Sequence, residues 1–388
     1  MPGTVLDGVA ERLPAAVREA LLAPLVDHHC HGVRRDDLDR DAFEIAMTEA
    51  GTPAPPGATH FDTPLGLAIR RWCAPVLGLP PHAAPDDYLA RRAELGAAEA
   101  NRRLLTAAGV AAFLVDTGLD DAGLLSAAEM AAACGAQARK IVRLERVEQR
   151  VVAGGPDAAA YADRLADELA AATADAVGIK SIAAYRHGLD LDPARPSRRE
   201  VVAAAGRRLA DPGGRLADPV LLRHLLWAGV DAVRERGLPL QFHCGFGDTD
   251  VVLHRADPAL LTGFIRAVAP CGVPVVLLHC YPYHRQAAYL AAVYPHVYAD
   301  VGLALTHTAA GSPAVLGELL ELAPFHKQMY SSDCYGLAEA CHLGALYHRR
   351  GLAAALAARI EAGEWSAADA ARIARMIGSE NARRVYRL

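Results

Sequence analysis

PLVDHHCH, Pro24 to His31, is the stretch on which the fold turns: a short apolar run that closes on three imidazoles. In a β-strand residues i and i+2 face one side and i+1 the other, so His29 and His31 share a face and Cys30 takes the opposite one. Two imidazoles so spaced can reach one divalent ion at metal–nitrogen distances of about 2.0–2.1 Å. By the same alternation His28 points away from the pair and reads as structural.

Seven further β-rich runs follow this one. They are VAAFLVDTG ending at Gly118, KIVRLERV around Arg143, AVGIKSIAAYR from Ala176 to Arg186, LPLQFHCG ending at Gly245, VPVVLLHC ending at Cys280, HVYADVG ending at Gly302 and QMYSSDC ending at Cys334. Most are followed by alanine- and leucine-rich segments of helical period, the pattern of a parallel α/β fold. Eight such units point to a closed (β/α)₈ TIM barrel. A doubly wound sheet usually has fewer units and often a glycine-rich first turn, whereas here the first run leads into HGVRRDD with no GxGxxG.

The 388 residues exceed what a barrel of about 250 needs, and a single domain, 1–388, carrying an insertion accounts for the surplus. The extra length falls after the first strand, where residues 33–106 hold the proline-rich TPAPPG (Thr52 to Gly57) and helical segments. Loops that follow strands emerge on the catalytic face, so this helical insertion reads as a lid over the mouth or as a packing or oligomerisation appendage. A shorter insertion, Arg195 to Val220, is expected to be helical with a glycine-rich loop.

Hydrophobic residues make up 52% and charged residues 22%, ordinary for a protein with a large core, and the net charge is −5. No Lys/Arg-rich run appears, which argues against nucleic acid. The opening residues lack the basic start and unbroken apolar stretch of a signal peptide, and no apolar run reaches the roughly 18 residues of a membrane helix. The 8 cysteines contain no CxxC pair. A reduced, cytoplasmic chain is expected, with a small-molecule substrate, no membrane partner, and self-association into a homo-oligomer left open.

Three later runs finish, like the first, on a candidate ligand: His243 in QFHCG, His279 in VLLHC and Asp333 in SSDCY. All lie at the carboxyl ends of strands, the face on which barrel enzymes keep their chemistry. Cys30, Cys244, Cys280 and Cys334 each follow one of these candidates, as small apolar residues facing the outer helices would.

On these residues the chain resembles the amidohydrolase superfamily, in particular its amidohydrolase-related branch, with aminocarboxymuconate decarboxylase-like and uronate isomerase-like members and the domain fused to glutamine synthetase-like proteins. The resemblance runs through DHHCH (Asp27 to His31), GIKSIAAYR (Gly178 to Arg186), QFHCG, VLLHC, SSDCYG and the terminal GSENARRVYRL. It implies a distorted (β/α)₈ barrel holding one or two divalent ions, usually zinc, with manganese or another first-row metal as alternatives. It places His29 and His31 as strand-one ligands, His243 as the strand-five ligand, and Asp333 as a ligand that also handles the proton of water. His279 either faces substrate or ligates a second ion. Lys180 in GIKS resembles the carboxylated lysine that bridges two ions in binuclear relatives; a substrate-binding cation and a buried ion-pair partner are its other readings.

A divalent ion with an open position activates water at neutral pH and polarises a carbonyl. Asp333 is then the candidate general base, and His279 the group that stabilises an oxyanion or protonates a leaving group. The expected activity is metal-dependent hydrolysis of an amide, ester or lactone in a small, carboxylate-bearing substrate. Non-oxidative decarboxylation and isomerisation are alternatives on the same site, and a Schiff-base aldolase through Lys180 is a remoter one. Arg186, Arg143 and Arg285 are candidates to clamp a carboxylate, or else rim ion pairs. Tyr185, Tyr281, Tyr335 and His307 either wall the pocket or pack in loops.

Overall fold

The computed structural model describes residues 5–119 and 122–388. Seven parallel strands run in sequential order: β1 (Leu25–Cys30), β2 (Val110–Asp116), β3 (Gln137–Arg143), β4 (Gly178–Ser181), β5 (Leu240–His243), β6 (Val275–Leu278) and β7 (Val297–Ala299). The eighth run is an extended segment rather than a regular strand. One edge meets β7 through the Ala299–Gln328 bridge and the Met329 N–H to Ala299 carbonyl bond of 3.3 Å. Its other edge meets β1: His28 N–H donates to the Tyr330 carbonyl at 3.1 Å, Asp333 N–H to His29 at 3.0 Å, and His31 N–H to Cys334 at 2.8 Å. Residues 328–334 therefore occupy the eighth stave and close a TIM-barrel-like α/β fold.

Alternation along the strands sorts side chains into two cores. Phe113, Val142, Ile179, Phe242 and Leu277 pack outward against the helices. Val26, Leu114, Ile141, Val276, Leu278 and Met329 fill the inside, where they meet Ala382, Val385 and Tyr386 of the C-terminal helix Asn381–Tyr386. That helix plugs the end of the barrel at which the strands begin. The terminal NARRVY owes its burial to Ala382, Val385 and Tyr386, a spacing that puts all three on one helical face.

The alternation fails within β1. Its register against β2 shifts between Leu25 and Val26 and again between Asp27 and Cys30, and His28 turns into the barrel interior below His29 rather than away from it. It remains structural, held by Asp300 and Tyr386.

Within the long stretch after β1, short helices at Arg40–Ile45 and Pro64–Ala68 precede the long helix Pro85–Ala108, which is kinked at Gly96 (φ 74°). The long helix packs on helix Ala338–Glu361 in the outer ring. A buried knot joins them: Glu339 accepts from the Tyr88 hydroxyl at 2.8 Å and from Arg92 Nε at 2.9 Å. The shorter insertion forms the expected helix, Arg198–Ala210, capped by Ser197 and Glu200 in a reciprocal capping box. Among the described residues no helix is long and apolar enough to cross a membrane.

The expectation of eight reduced cysteines is corrected at one pair. Cys334 and Cys341 form a disulfide, because the turn from the eighth stave into helix Ala338–Glu361 brings their Cα atoms to 5.0 Å. The other six cysteines are free. Cys30, Cys244 and Cys280 are buried in the outer core, the layer their positions predict.

Candidate metal centre

The inward side chains at the carboxyl ends of the strands converge. A ligand atom from each of His29, His31 and Asp333 lies within 4.8 Å of the other two, the arrangement of a cation site. Asp333 Oδ1 is 3.0 Å from His29 Nε2 and 3.5 Å from His31 Nε2, while Oδ2 is 3.5 Å from His279 Nδ1. His243 stands beside them, its ring centroid 4.7 Å from that of His279, and its Nε2 is buried without a hydrogen bond. His279 Nε2 is equally orphaned. Buried polar nitrogens are normally paired, so orphaned imidazoles grouped around a carboxylate fit a divalent ion.

Both His279 (φ 56°) and Asp333 (φ 52°) hold positive φ, which non-glycine residues rarely adopt. Such strain, on the order of 1–3 kcal/mol each, persists only where surrounding bonds over-determine it. Here His279 N–H is held by Asp300 Oδ1 at 2.9 Å and Asp333 N–H by the His29 carbonyl at 3.0 Å.

Burial pushes the Asp333 carboxyl up, but the His279, His29 and His31 imidazoles prevail and hold it well below the usual carboxylate range. His29 is lowered to about 3, first by burial and then by the Lys180 charge. His243 and His279 are lowered too, chiefly by burial. Neutral imidazoles around an ionised carboxylate are the protonation states that metal binding requires.

Lys180 lies one layer deeper than His243, since the β4–β5 register pairs it with Gln241. Its ammonium is 2.9 Å from His29 Nε2 and 3.5 Å from Asp116 Oδ2. Asp116, fully buried at the end of β2, also takes Arg143 Nη2 at 2.6 Å. Sequence reasoning passed over Asp116, although its place at the end of VAAFLVD matches that of the residues it did select.

Above the cluster opens a cavity of about 760 Å³. Lys180, Tyr185, Arg186, His243, His307 and Asp333 line it, with Tyr335 at the rim. Arg34, Arg143 and Arg215 also reach it. Tyr185 stacks on His243 with centroids 4.3 Å apart, and Gly247 lies so close to both rings that a Cβ there would collide with the Tyr185 hydroxyl. His307 Nε2 is 3.5 Å from Glu49 Oε1, a residue of the insertion. Leu38, Ile45, Leu65 and Ile69 of the same insertion form the apolar wall.

Two candidates fall elsewhere. Tyr281 does not line the cavity; its ring stacks on His284, outside, with centroids 5.6 Å apart. Arg285 is a surface residue paired with Glu318 and Glu321. Tyr281 lies in the turn after β6 and Arg285 at the start of the helix His284–Val293 that follows it, which carries them away from the mouth.

Fold and site together define a barrel enzyme built around a divalent metal ion. The profile of the amidohydrolase family matches residues 26–388, and the chain belongs to that family. It is similar to protein fluG of Emericella nidulans, at 30% identity over 280 residues, 64% of this chain and 32% of that protein. The chain thus spans about a third of the length of this curated relative. A candidate metal-dependent hydrolase from Lactobacillus casei superposes with a TM-score of 0.84 at 27% identity, covering 94% of this chain and 95% of that one. The uronate isomerase of Thermotoga maritima superposes at 0.63 with 12% identity, over 98% of this chain and 99% of its own, and shares the fold.

Proposed function

We propose that the protein is a metal-dependent hydrolase that opens an amide, ester or lactone in a small, carboxylate-bearing molecule. The observation that carries this reading is the cluster of His29, His31 and Asp333 at the floor of a cavity wide enough for a small substrate. In this reading those three residues and His243 hold the ion, most suitably zinc, whose preference for three or four nitrogen and oxygen donors matches the set. When bound, the ion supplies an activated water and polarises the scissile carbonyl.

The remaining work belongs to the chain. Asp333, kept ionised by the imidazoles, accepts the proton of the attacking water. His279, with Nε2 unpartnered, faces the developing oxyanion or the leaving group. Arg186 lines the cavity with its Nε buried and unbonded, and so suits a substrate carboxylate. Tyr185 and His307 shape the wall. Lys180 is read as the cation that Asp116 holds at the floor, which favours one ion over a carboxylated bridge between two. The insertion is read as a lid, since its apolar residues close the cavity from above.

The test is a screen of carboxylate-bearing lactones, esters and amides, followed by proton release for the lactones and esters and by amine release for the amides, with protein stripped by chelator and reloaded with Zn²⁺ or Mn²⁺. Turnover should appear only after reloading and fall by about 10²–10⁴ in Asp333→Asn, the range for loss of a positioned acid or base. Isomerisation of uronates by the loaded protein without any hydrolysis would replace this reading. Borohydride trapping of substrate on Lys180 would replace it with an aldolase.

A further inference from the structure

Beneath the ligand cluster a line of side-chain hydrogen bonds crosses the barrel interior from β7 back to β1. Asp300 Oδ1 accepts the backbone N–H groups of His279 at 2.9 Å and Gly302 at 2.8 Å. Its Oδ2 lies 2.9 Å from His28 Nε2, and His28 Nδ1 lies 3.0 Å from the Tyr386 hydroxyl. That hydroxyl accepts from Gln241 Nε2 at 2.8 Å, and the same nitrogen donates to the His28 carbonyl at 2.9 Å. Gln241 Oε1 then lies 3.0 Å from His29 Nδ1. Asp300, His28, Gln241 and Tyr386 are all essentially inaccessible to water.

The direction of each bond follows from elementary donor and acceptor rules. A carbonyl oxygen only accepts, so the end of the Gln241 amide that faces the His28 carbonyl must be its nitrogen. The other end is then an oxygen and also only accepts. His29 Nδ1 must therefore carry a proton, and a neutral His29 has a bare Nε2. That bare nitrogen can accept from the Lys180 ammonium, 2.9 Å away, and lies 3.0 Å from Asp333 Oδ1, so its lone pair and the carboxylate together suit a cation.

We propose that Gln241 and Tyr386 are positioning residues of the metal centre: through them the C-terminal helix sets the His29 tautomer that presents Nε2 to the ion. The proposal rests on His29 being a ligand. Tyr386 stands two residues from the end of the chain and touches no ligand directly; its hydroxyl orients Gln241, and Gln241 orients His29. Partners of this kind, one bond removed from a metal, typically alter affinity by 10–100-fold when removed.

The first test needs no metal. In ¹⁵N-histidine-labelled, metal-free protein, the His29 signals, assigned by their loss in His29→Gln, should report a proton on Nδ1. A proton on Nε2 overturns the proposal. The second measures zinc affinity by competition with a chelating dye. Gln241→Met, which removes the acceptor itself, should bind zinc at least about tenfold more weakly, with a mixture of His29 tautomers when metal-free. Tyr386→Phe, which leaves the His28 carbonyl to orient the amide, should weaken zinc binding by a smaller factor, and wild-type affinity in a folded Tyr386→Phe removes Tyr386 from the proposal. Wild-type affinity in a folded Gln241→Met also overturns the proposal. Zinc affinity unchanged in His29→Gln instead removes the ligand reading beneath it, whatever the tautomer.

Discussion

At the level of single residues, Asp116 shows how charges are arranged under the site. Its carboxylate is fully buried between Arg143 and Lys180. Burial alone would raise its pKa, yet the two cations hold it far below the usual range. Arg143 is itself largely buried, and its side chain fills the space beside Gly118. Arg143→Met should therefore leave a buried carboxylate with the Gly118 N–H at 2.8 Å and the longer contact to Lys180 as its partners, at a cost of about 3–5 kcal/mol. Urea denaturation of the metal-free protein measures this, and a loss below about 1 kcal/mol would show that Lys180 and the Gly118 N–H suffice for Asp116. The candidate ligands themselves were legible, because His29, His31, His243, His279 and Asp333 are set by strand ends that the sequence displays. Asp116, Gln241 and Tyr386 were not, since their importance lies in pairing across β2, β3, β4, β5 and the C-terminal helix. No local pattern encodes such pairing.

At the level of elements, helix Ala338–Glu361 carries two buried imidazoles away from the ligand cluster. His342 is lowered to about 4 and His348 to about 3, in each case first by burial and then by the Arg349 charge. An unfolded histidine titrates near 6.5. Above that pH both states keep these rings neutral, and stability is intact. Between 6.5 and the folded values only the unfolded chain takes up protons, so stability is lost as pH falls, by about 1.4 kcal/mol per pH unit for each ring. His348 packs on Tyr330 with centroids 4.7 Å apart and has room for a ring of similar size. His348→Phe should flatten the decline in stability between pH 6.5 and 5 relative to wild type; an equal slope would mean that His348 is protonated in the folded state. Element by element, the apolar runs foretold β1 to β7, and the helix expected in the shorter insertion is Arg198–Ala210. Two features escaped. The break in β1 register turns His28 inward, and period-two reasoning cannot see a bulge. The Cys334–Cys341 link depends on how tightly the eighth stave turns into the next helix, which the spacing of two cysteines leaves open.

For the molecule as a whole, the site is where every part of the chain meets. The ligand candidates come from β1, β5, the turn after β6 and the eighth stave, the apolar cavity wall comes from the insertion, and the last helix fills the barrel interior beneath them. An ion bound at His29, His31 and Asp333 would tie β1 to the eighth stave, the seam at which the barrel closes with no regular strand ladder. Binding to the folded state alone stabilises by RT ln(1 + [L]/Kd), about 2.7 kcal/mol at a hundredfold excess over Kd. For a chain of this length each kcal/mol moves the melting temperature by no more than about 2–4 °C. Chelated protein should therefore melt several degrees below protein reloaded with zinc, and each tenfold rise in free zinc above Kd should add a further, even step. In Asp333→Asn the step should shrink or vanish, and the metal-free melting temperature should fall, since a carboxylate that the imidazoles hold ionised in the folded state is lost. Should zinc stabilise that variant as strongly as the wild type, Asp333 is not a ligand, and the ion, if one binds, sits among the imidazoles alone.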